Sequence, residues 1–426
     1  MKLHIEPKRE QWAELCGRPS DSNPAVRERV AEILERVRKD GDRAILELTG
    51  EIDGFAPDCL EVPRTAIEAA SEEISTELKT AIGKAAANIR AFHSAQMPSR
   101  IELETSPGVR CIQKPVPIRK VGLYIPGGTA PLFSTVLMLA IPAKIAGCSE
   151  VVLCTPAGKT GGIAPAVLYA ASLCGIDRVY RIGGAQAIAA MAYGTESVPK
   201  VDKIFGPGNQ YVTTAKQMLG ASVVAIDMPA GPSEVMVIAD RSAVPAHIAA
   251  DLLSQAEHGR DSQVMLLCND ENLARETEAQ VYLQVRQLSR EELAECALEK
   301  SRFIVFQSED DIVEFANLYA PEHLIVSTED PWRVTDRICC AGSVFVGHYT
   351  PESAGDYASG TNHTLPTSAW AHSYSGVNID SYMRKMTIQE ITREGLESLA
   401  PTIIAMAEAE GLQAHANAVK VRTGRE

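Results

Sequence analysis

Several features that would assign a protein to a special class are missing from this sequence of 426 residues. No run of eighteen apolar residues occurs, and the opening MKLHIEPKRE lacks the apolar segment of a signal peptide. The ten cysteines include no Cys-x-x-Cys pair, so we interpret them as reduced and expect a metal site to use histidine and oxygen ligands. Basic residues number 41 against 55 acidic ones, and the net charge of −14 disfavours nucleic acid or an anionic membrane as a partner. A soluble, cytoplasmic protein is expected.

The composition is that of an ordinary globular protein, with 45% hydrophobic and 23% charged residues. The length exceeds what one hydrophobic core usually serves, so two or more domains are expected. The first hundred residues are predicted to be mainly helical, since residues 24–48 and 65–93 carry apolar side chains at helical spacing. The tail, residues 380–426, is also predicted to be helical.

Between these helical regions, short β-branched runs alternate with helical segments. The runs VGLYIP, EVVLCTP, RVYRIGG, KIFGPG and SVVAIDM form a first series, and VMVIAD, QVMLLCND, RFIVFQS, HLIVS and SVFVG form a second after the loop at 229–234. Repeated strand–helix units indicate parallel sheets covered by helices. The sequence therefore predicts an α/β protein with two lobes and a cleft where they meet.

Three segments of the first series combine a strand, glycines and a following helix: residues 124–129, 182–186 and 205–209. Bare backbone N–H groups at a helix N-terminus suit a dinucleotide pyrophosphate. None of the segments matches Gly-x-Gly-x-x-Gly with its downstream acidic residue, so the alternative that these glycines only turn the chain stays open.

Two segments offer metal ligands. Gln255 and His258 lie three residues apart at the end of a predicted helix and so share one face, although such a pair is more often an ordinary surface pair. The segment from Glu352 to His363 is rich in glycine and polar groups and follows an apolar strand, and ligands in α/β proteins commonly bind where strands end. Asp356 offers a hard oxygen ligand there, and a mixed nitrogen and oxygen set suits Zn²⁺.

Two further constellations remain open between a chemical and a plain structural interpretation. Glu322 and His323 adjoin the entrance of a predicted strand and suit divided acid–base work, or they form a solvated turn. Glu410 and His415 lie near the chain end, where a histidine is usually solvated unless the tail covers a site on this or a neighbouring subunit.

Taken together, the motifs resemble the histidinol dehydrogenase family over essentially the whole chain. The segments that carry the resemblance occur in the family's order: PIRKVGLYIPGGTAPLFSTVLMLAIPAKIAG, IGGAQAIAAMAYGT, KIFGPGN, DMPAGPSE, LLSQAEHG, APEHL, GDYASGTNHTLPT and AHANAV. The family oxidises L-histidinol to L-histidine in two NAD-dependent steps through bound L-histidinal, which is the last step of histidine biosynthesis. Expected cofactors are therefore NAD and one Zn²⁺ per subunit.

The resemblance also implies roles for individual residues. The implied zinc ligands are Gln255, His258, Asp356 and His415. The implied acid–base pair is Glu322 and His323. The implied nicotinamide-nucleotide contacts are Tyr124, Gln186 and Asn209. The implied substrate contacts are Ser233, Gln255, His258, His323, Asp356, His363, Glu410 and His415.

The fold implied by the resemblance has two related, incomplete Rossmann-like parallel-sheet domains and a homodimer with exchanged helical tails. Its parts are a helical segment at 1–22, a domain of 23–122 with 234–377 that carries most zinc and catalytic residues, a dinucleotide-binding domain at 123–233, and the tail at 378–426. Two alternative functions stay open. One is a related zinc- and NAD-dependent dehydrogenase of another small alcohol, such as a sulfonated diol, and the other is a two-lobed zinc-dependent binding protein without turnover.

Overall fold

A computed structural model describes residues 1–18, 24–54, 57–127, 131–158, 161–229 and 231–425. Within these residues the strands are β1 (Lys2–Ile5), β2 (Ile101–Ser106), β3 (Val109–Pro117), β4 (Lys120–Tyr124), β5 (Glu150–Thr155), β6 (Arg178–Arg181), β7 (Lys203–Phe205), β8 (Ala225–Ile226), β9 (Glu234–Ala239), β10 (Gln263–Cys268), β11 (Arg302–Val305), β12 (His323–Ser327), β13 (Ser343–Val346) and β14 (Met383–Ile391). The helices are α1 (Arg9–Leu15), α2 (Pro24–Asp53), α3 (Arg64–Ala69), α4 (Thr76–Ser94), α5 (Phe133–Ala146), α6 (Pro165–Leu173), α7 (Gly184–Tyr193), α8 (Gln210–Gly220), α9 (Pro245–Ala256), α10 (Glu271–Gln284), α11 (Glu291–Glu299), α12 (Glu309–Tyr319), α13 (Pro331–Thr335), α14 (Glu352–Tyr357), α15 (Arg393–Ala409) and α16 (Gln413–Thr423).

The first parallel sheet contains five strands in the order β6-β5-β4-β7-β8. Counted within this unit, the order is 3-2-1-4-5, which is the Rossmann order without its sixth strand. Helices α3 to α6 fill one face of the sheet, and α2, α7 and α8 fill the other. Because both faces are covered, the strands are continuous apolar runs rather than alternating ones.

The second parallel sheet contains six strands in the order β1-β11-β10-β9-β12-β13. The strands β9 to β13 repeat the 3-2-1-4-5 order, and β1 is added at the edge next to β11. Helices α9 to α11 pack on one face, and α1, α12 and α13 pack on the other. The prediction of an α/β protein with two parallel-sheet units is confirmed.

The two chain ends differ from the predicted helices. Residues Lys2–Ile5 of the N-terminal segment are a strand that pairs in parallel with β11, and only the following α1 is helical. In the tail, Met383–Ile391 is a strand that pairs antiparallel with β3, which in turn pairs with β2. The helical prediction was therefore wrong for these stretches. Strand β14 is exposed along most of its length and is held by ladder hydrogen bonds, so no buried apolar face marks it in the sequence.

The helices between 24 and 94 pack on the five-stranded sheet, and their apolar side chains fill its two faces. Helix α2 continues to Asp53 and contains a break at Gly41, where φ is 55° and ψ is −133°. No helix in the described part of the chain has the length and hydropathy of a membrane span.

One glycine is required where β4 and β7 lie side by side. Gly206 follows β7 with φ of +125°, and a Cβ atom there would lie 2.1 Å from the carbonyl oxygen of Tyr124. Gly175 is a matched comparison, because its φ is +69° but nothing lies within 4 Å of its Cβ position.

We expect Gly175→Ala to lower the free energy of unfolding by about 1 kcal/mol, the usual cost of a left-handed conformation for a non-glycine residue. Gly206→Ala should cost at least about 2 kcal/mol more, because backbone must also move away from the new methyl group. Urea unfolding of both variants measures the difference. Equal losses would show that the contact with Tyr124 relaxes freely.

Candidate active site

The candidate site lies between the two parallel sheets, which face it with opposite ends of their strands. The five-stranded sheet faces the site with the C-terminal ends of its strands, where the loop after β7 begins. The six-stranded sheet faces the site with the N-terminal ends of its strands, where β9 and β12 begin. A cavity of about 410 Å³ lies between them. Among the predicted site residues, those that line it are Asn209, Ser233, His258, Glu322 and His363.

Glu322 and His323 are held by the backbone of Glu234, the first residue of β9. The amide of Glu234 donates to Oε2 of Glu322 at 2.8 Å, and the carbonyl oxygen of Glu234 lies 3.1 Å from Nδ1 of His323. His323 is the first residue of β12 and pairs with Val235 in register, which fixes it beside Glu234. Both side chains are buried, so the alternative of a solvated turn is excluded.

Gln255 is fully buried in the last turn of α9 and contacts the same group. Its Nε2 atom lies 2.8 Å from Nδ1 of His323 and donates to the carbonyl oxygen of Glu234 at 3.3 Å. Two buried polar atoms around this contact have no hydrogen-bond partner among the described residues, Oε1 of Gln255 and Nε2 of His323. Buried polar atoms without partners are costly, so they indicate that a further group binds here.

Asp356 lies on the other side of His323, with Oδ1 3.6 Å from Nε2 of the imidazole. Glu352, one helical turn earlier on α14, completes a group in which ligand atoms of His323, Glu352 and Asp356 lie within 4.8 Å of one another. The sequence predicted that Asp356 lies where the strands end, because its segment follows β13. Instead, the chain returns through α14, and Asp356 lies at the N-terminal ends of the strands.

Burial and charge perturb the pKa values of this cluster. Burial lowers the pKa of His323, but the charge of Glu322 and the contact with Asp356 outweigh burial and raise that pKa well above its usual value. Burial raises the pKa of Glu352 to about 8, so this carboxyl is neutral near pH 7. Burial also opposes ionisation of Asp356, yet hydrogen bonding and charge from His323 keep its pKa below the usual value.

His258 follows the end of α9 and opens into the cavity. Although this side chain is exposed to the cavity, the protein packed around its ring lowers its pKa by desolvation, and the charges of Asp356 and Glu322 oppose that shift. Gln255, His258 and Asp356, three of the four expected ligands, are thus gathered around His323.

His363 joins this cluster to the other sheet. Its Nδ1 lies 2.9 Å from the carbonyl oxygen of Asp356, and its Nε2 lies 3.1 Å from the hydroxyl of Thr135 on α5. Burial lowers its pKa, so the imidazole is neutral at pH 7. Ser233 immediately precedes β9 and also lines the cavity.

The expected nucleotide contacts lie at the carboxyl edge of the five-stranded sheet. The hydroxyl of Tyr124 accepts a hydrogen bond from the amide of Gly184 at 3.1 Å. Two residues further on, Gln186 is buried, and neither atom of its side-chain amide has a hydrogen-bond partner among the described residues. Asn209 caps α8 by accepting from the amides of Tyr211 and Val212. Gly128 and Thr129 of the first glycine segment lie outside the described residues.

A buried ion pair supports the loop that leads to Asn209. Nζ of Lys216 lies 2.5 Å from Oδ1 of Asp227, and both side chains are almost fully buried. Lys216 also donates to the carbonyl oxygen of Gly206 at 2.8 Å, while Asp227 accepts from the amide of Gly206 at 2.8 Å. Both polar groups of Gly206 are therefore fixed, which positions the start of this loop.

The structure does not bring Glu410 and His415 to the cavity. Both side chains are exposed, and within the described residues neither makes a side-chain hydrogen bond or an ion pair. Helices α15 and α16 pack mainly on each other.

Sequence analysis missed the buried charges that support the site, including Glu352, Glu234 and the pair of Lys216 and Asp227. The four-residue spacing of Glu352 and Asp356 was a usable signal for a shared helix face. No pattern along the chain links Lys216 with Asp227, because they meet only after α8 packs beside β8.

The donor set around His323 fits a zinc ion. Oε1 of Gln255 is a buried acceptor without a partner among the described residues, and the charge of Asp356 acts on the nearby imidazole of His258. Amide oxygen, imidazole nitrogen and carboxylate oxygen are suitable ligands for Zn²⁺. A cation held by Asp356 would also disfavour the protonated form of the adjacent His323. The amide of Gln186, which has no partner in the described part of the chain, likewise fits a polar ligand at the C-terminal ends of the strands of the five-stranded sheet.

The strand ends of a Rossmann-type sheet face a buried cluster of histidines and carboxylates. This arrangement defines a class of two-lobed α/β enzymes, in which acid–base groups lie beside strand ends of the kind that bind nucleotides. The model of the family "Histidinol dehydrogenase" matches residues 16–423. A histidinol dehydrogenase from Bacteroides thetaiotaomicron is 56% identical, with 99% of each chain covered, and one from Aliivibrio fischeri is 53% identical, with 96% of this chain and 95% of that one covered. The crystal structure of histidinol dehydrogenase from Elizabethkingia anophelis superposes with a TM-score of 0.96 at 51% identity, covering 99% of this chain and 98% of that one.

This chain belongs to the histidinol dehydrogenase family, as its sequence resemblance predicted. It is accordingly an oxidoreductase of histidine biosynthesis.

Proposed function

We propose that this protein oxidises L-histidinol to L-histidine in two successive NAD-dependent steps through bound L-histidinal. The observation that carries the proposal is the buried pair of Glu322 and His323, held by the backbone of Glu234 next to the cavity that Glu322 and Asn209 line. Family membership and identity of 51–56% over nearly the whole chain support the same substrate.

Gln255, His258 and Asp356 would hold zinc, and Tyr124, Gln186 and Asn209 would contact the dinucleotide. When bound, zinc supplies a fixed point for the substrate's nitrogen atoms, and NAD accepts the two electrons of each oxidation. Ser233 and His363 line the cavity and would contact the substrate.

His323 is the base in both steps. Its Nε2 atom accepts the proton of the alcohol in the first step and that of the aldehyde hydrate in the second. Glu322 accepts a proton from water as the water adds to the aldehyde. Burial of both groups limits their contact with bulk water, which would favour retention of the aldehyde between the two steps.

The proposed function is tested by running limiting L-histidinol to completion with the purified, zinc-loaded protein. We expect two NADH per histidinol and histidine as the product, because the alcohol loses four electrons on its way to the carboxylate. Turnover of a sulfonated or other small alcohol without turnover of histidinol would replace the substrate. Failure to oxidise any alcohol would favour a binding protein and overturn the proposal.

The division of labour between the two residues predicts different defects. His323→Asn should lower the rates from both histidinol and histidinal by roughly 10²- to 10⁴-fold, the usual contribution of a general base. Glu322→Gln should mainly slow the aldehyde step. His348→Asn is a matched control, because His348 bonds to Ser327 at the opposite end of β12. Separate assays with the alcohol and the aldehyde measure both rates, and equal losses in Glu322→Gln would contradict the assignment.

We further propose that the active form is a homodimer in which each tail completes the partner's site. The exposed positions of Glu410 and His415 and the limited packing of α15 and α16 on the rest of the chain support this exchange. Met406, Leu412 and Val421 are exposed apolar side chains on the same tail, as expected for a surface that another subunit covers.

A mixed dimer of His415→Asn and His258→Asn chains tests the exchange. With exchanged tails, one of its two sites regains every ligand, so we expect about half the wild-type activity and one bound zinc per dimer. If each tail served its own chain, both sites would stay broken and the mixed dimer would match the two inactive parent dimers. Differently tagged chains allow the mixed dimer to be isolated, and metal analysis provides a readout independent of turnover.

A further inference from the structure

Arg18, at the end of the N-terminal segment, forms a buried ion pair with Glu234. Its Nε atom lies 2.5 Å from Oε1 of the carboxylate, and its Nη2 atom lies 3.0 Å from Oε2, so the contact is bidentate. Nη2 also donates to the carbonyl oxygen of Tyr319 at 2.7 Å, and the guanidinium stacks 3.9 Å from the centre of that ring. The guanidinium is therefore fixed in both position and orientation.

The backbone of Glu234 holds the candidate catalytic groups in place through polar contacts. Its amide holds the carboxylate of Glu322, and its carbonyl oxygen contacts both His323 and Gln255. Its carboxylate also accepts from the amide of Ser368 at 2.9 Å, which ties down the chain that follows the cavity wall. A small rotation of Glu234 would move all of these groups together.

The ion pair also compensates the repulsion between two buried carboxylates. Burial raises the pKa of Glu234, and the charge of the buried Glu322 raises it further, so the two carboxylates lie close enough to interact. Like charges repel, and Arg18 places a compensating positive charge against the carboxylate of Glu234, whose backbone contacts Glu322 and His323. Without Arg18, the carboxylate of Glu234 would be buried without a cation and would move toward water or another donor.

We propose that Arg18 is a positioning residue for the oxidation, acting through Glu234 to hold Glu322 and His323 in their reactive arrangement. This inference rests on the proposed function. It makes the N-terminal segment part of the catalytic machinery, although Arg18 itself is not placed against substrate or cofactor. The bidentate fork and the ring contact require arginine, because lysine offers a single ammonium group.

The test compares Arg18→Met and Arg18→Lys with the wild type. Arg18→Met should lower kcat roughly 10- to 100-fold, the loss expected when reacting groups shift by about 1 Å, while the KM for NAD stays within about twofold. Arg18→Lys should restore part of kcat, because the charge returns without the fork. Arg9→Met is the matched control, since Arg9 lies on the preceding α1 and forms an exposed ion pair with Glu314 on α12. It should keep the wild-type kcat.

A second readout does not depend on turnover. In protein labelled with ¹³C-histidine, the ring signal of His323 is assigned by its loss in His323→Asn. We expect this signal to shift or broaden in Arg18→Met and to be unchanged in Arg9→Met. If the wild type did not oxidise histidinol, the proposed function would fail, and the ring signal would still decide whether Arg18 positions His323.

The inference is overturned if Arg18→Met keeps both the wild-type kcat and the wild-type ring signal. It is also overturned if Arg9→Met and Arg18→Met lose activity equally, since anchoring of the N-terminal segment would then explain both. Rates are expressed per folded protein. If Arg18→Met does not fold, Arg18→Lys decides, because a wild-type kcat and ring signal in that variant would exclude a role for the fork.

Discussion

The buried carboxylate of Glu234 is the constraint on which the site depends. It stands at the first position of β9, where strand pairing with β12 brings its backbone against Glu322 and His323. A buried charge must be paired, and the partner that satisfies it comes from the far end of the sequence. The contact between Arg18 and Glu234 thus connects the stability of the N-terminal segment to the geometry of the candidate catalytic groups.

The two parallel sheets share a strand order and use opposite edges. The five-stranded sheet presents the carboxyl ends of its strands, as Rossmann-type sheets do, and its loop after β7 is fixed by the buried pair of Lys216 and Asp227. The six-stranded sheet faces the cavity with the N-terminal ends of its strands. There, the main-chain donors and acceptors of one strand lie next to the side chains of the neighbouring strand. The cavity between them therefore combines the strand ends of a Rossmann-type sheet with a cluster of histidine and carboxylate side chains.

Much of the fold follows from local patterns. The β-branched runs predicted the strands of both parallel sheets, and apolar spacing predicted α2 and α4, because burial on one or two faces leaves a periodic trace. The exposed strand β14 and the short edge strand β1 left no such trace, since partners distant in sequence hold them. At the site, motif resemblance indicated the residues now gathered around His323, but spacing alone left Glu322 and His323 undecided between solvent and a buried site.

The sequence by itself determined the α/β class, the family, and the residue types available for acid–base and metal chemistry, because these depend on composition, periodicity and ordered motifs. Only the tertiary structure decided which edge of each sheet faces the cavity, that α14 returns Asp356 and Glu352 to His323, and that Arg18 compensates the charge of Glu234. Those outcomes depend on contacts between residues that are distant in sequence; Arg18 and Glu234, for example, are more than 200 positions apart. Such contacts leave no periodic signal along the chain, since pairing and desolvation arise only when distant elements pack together.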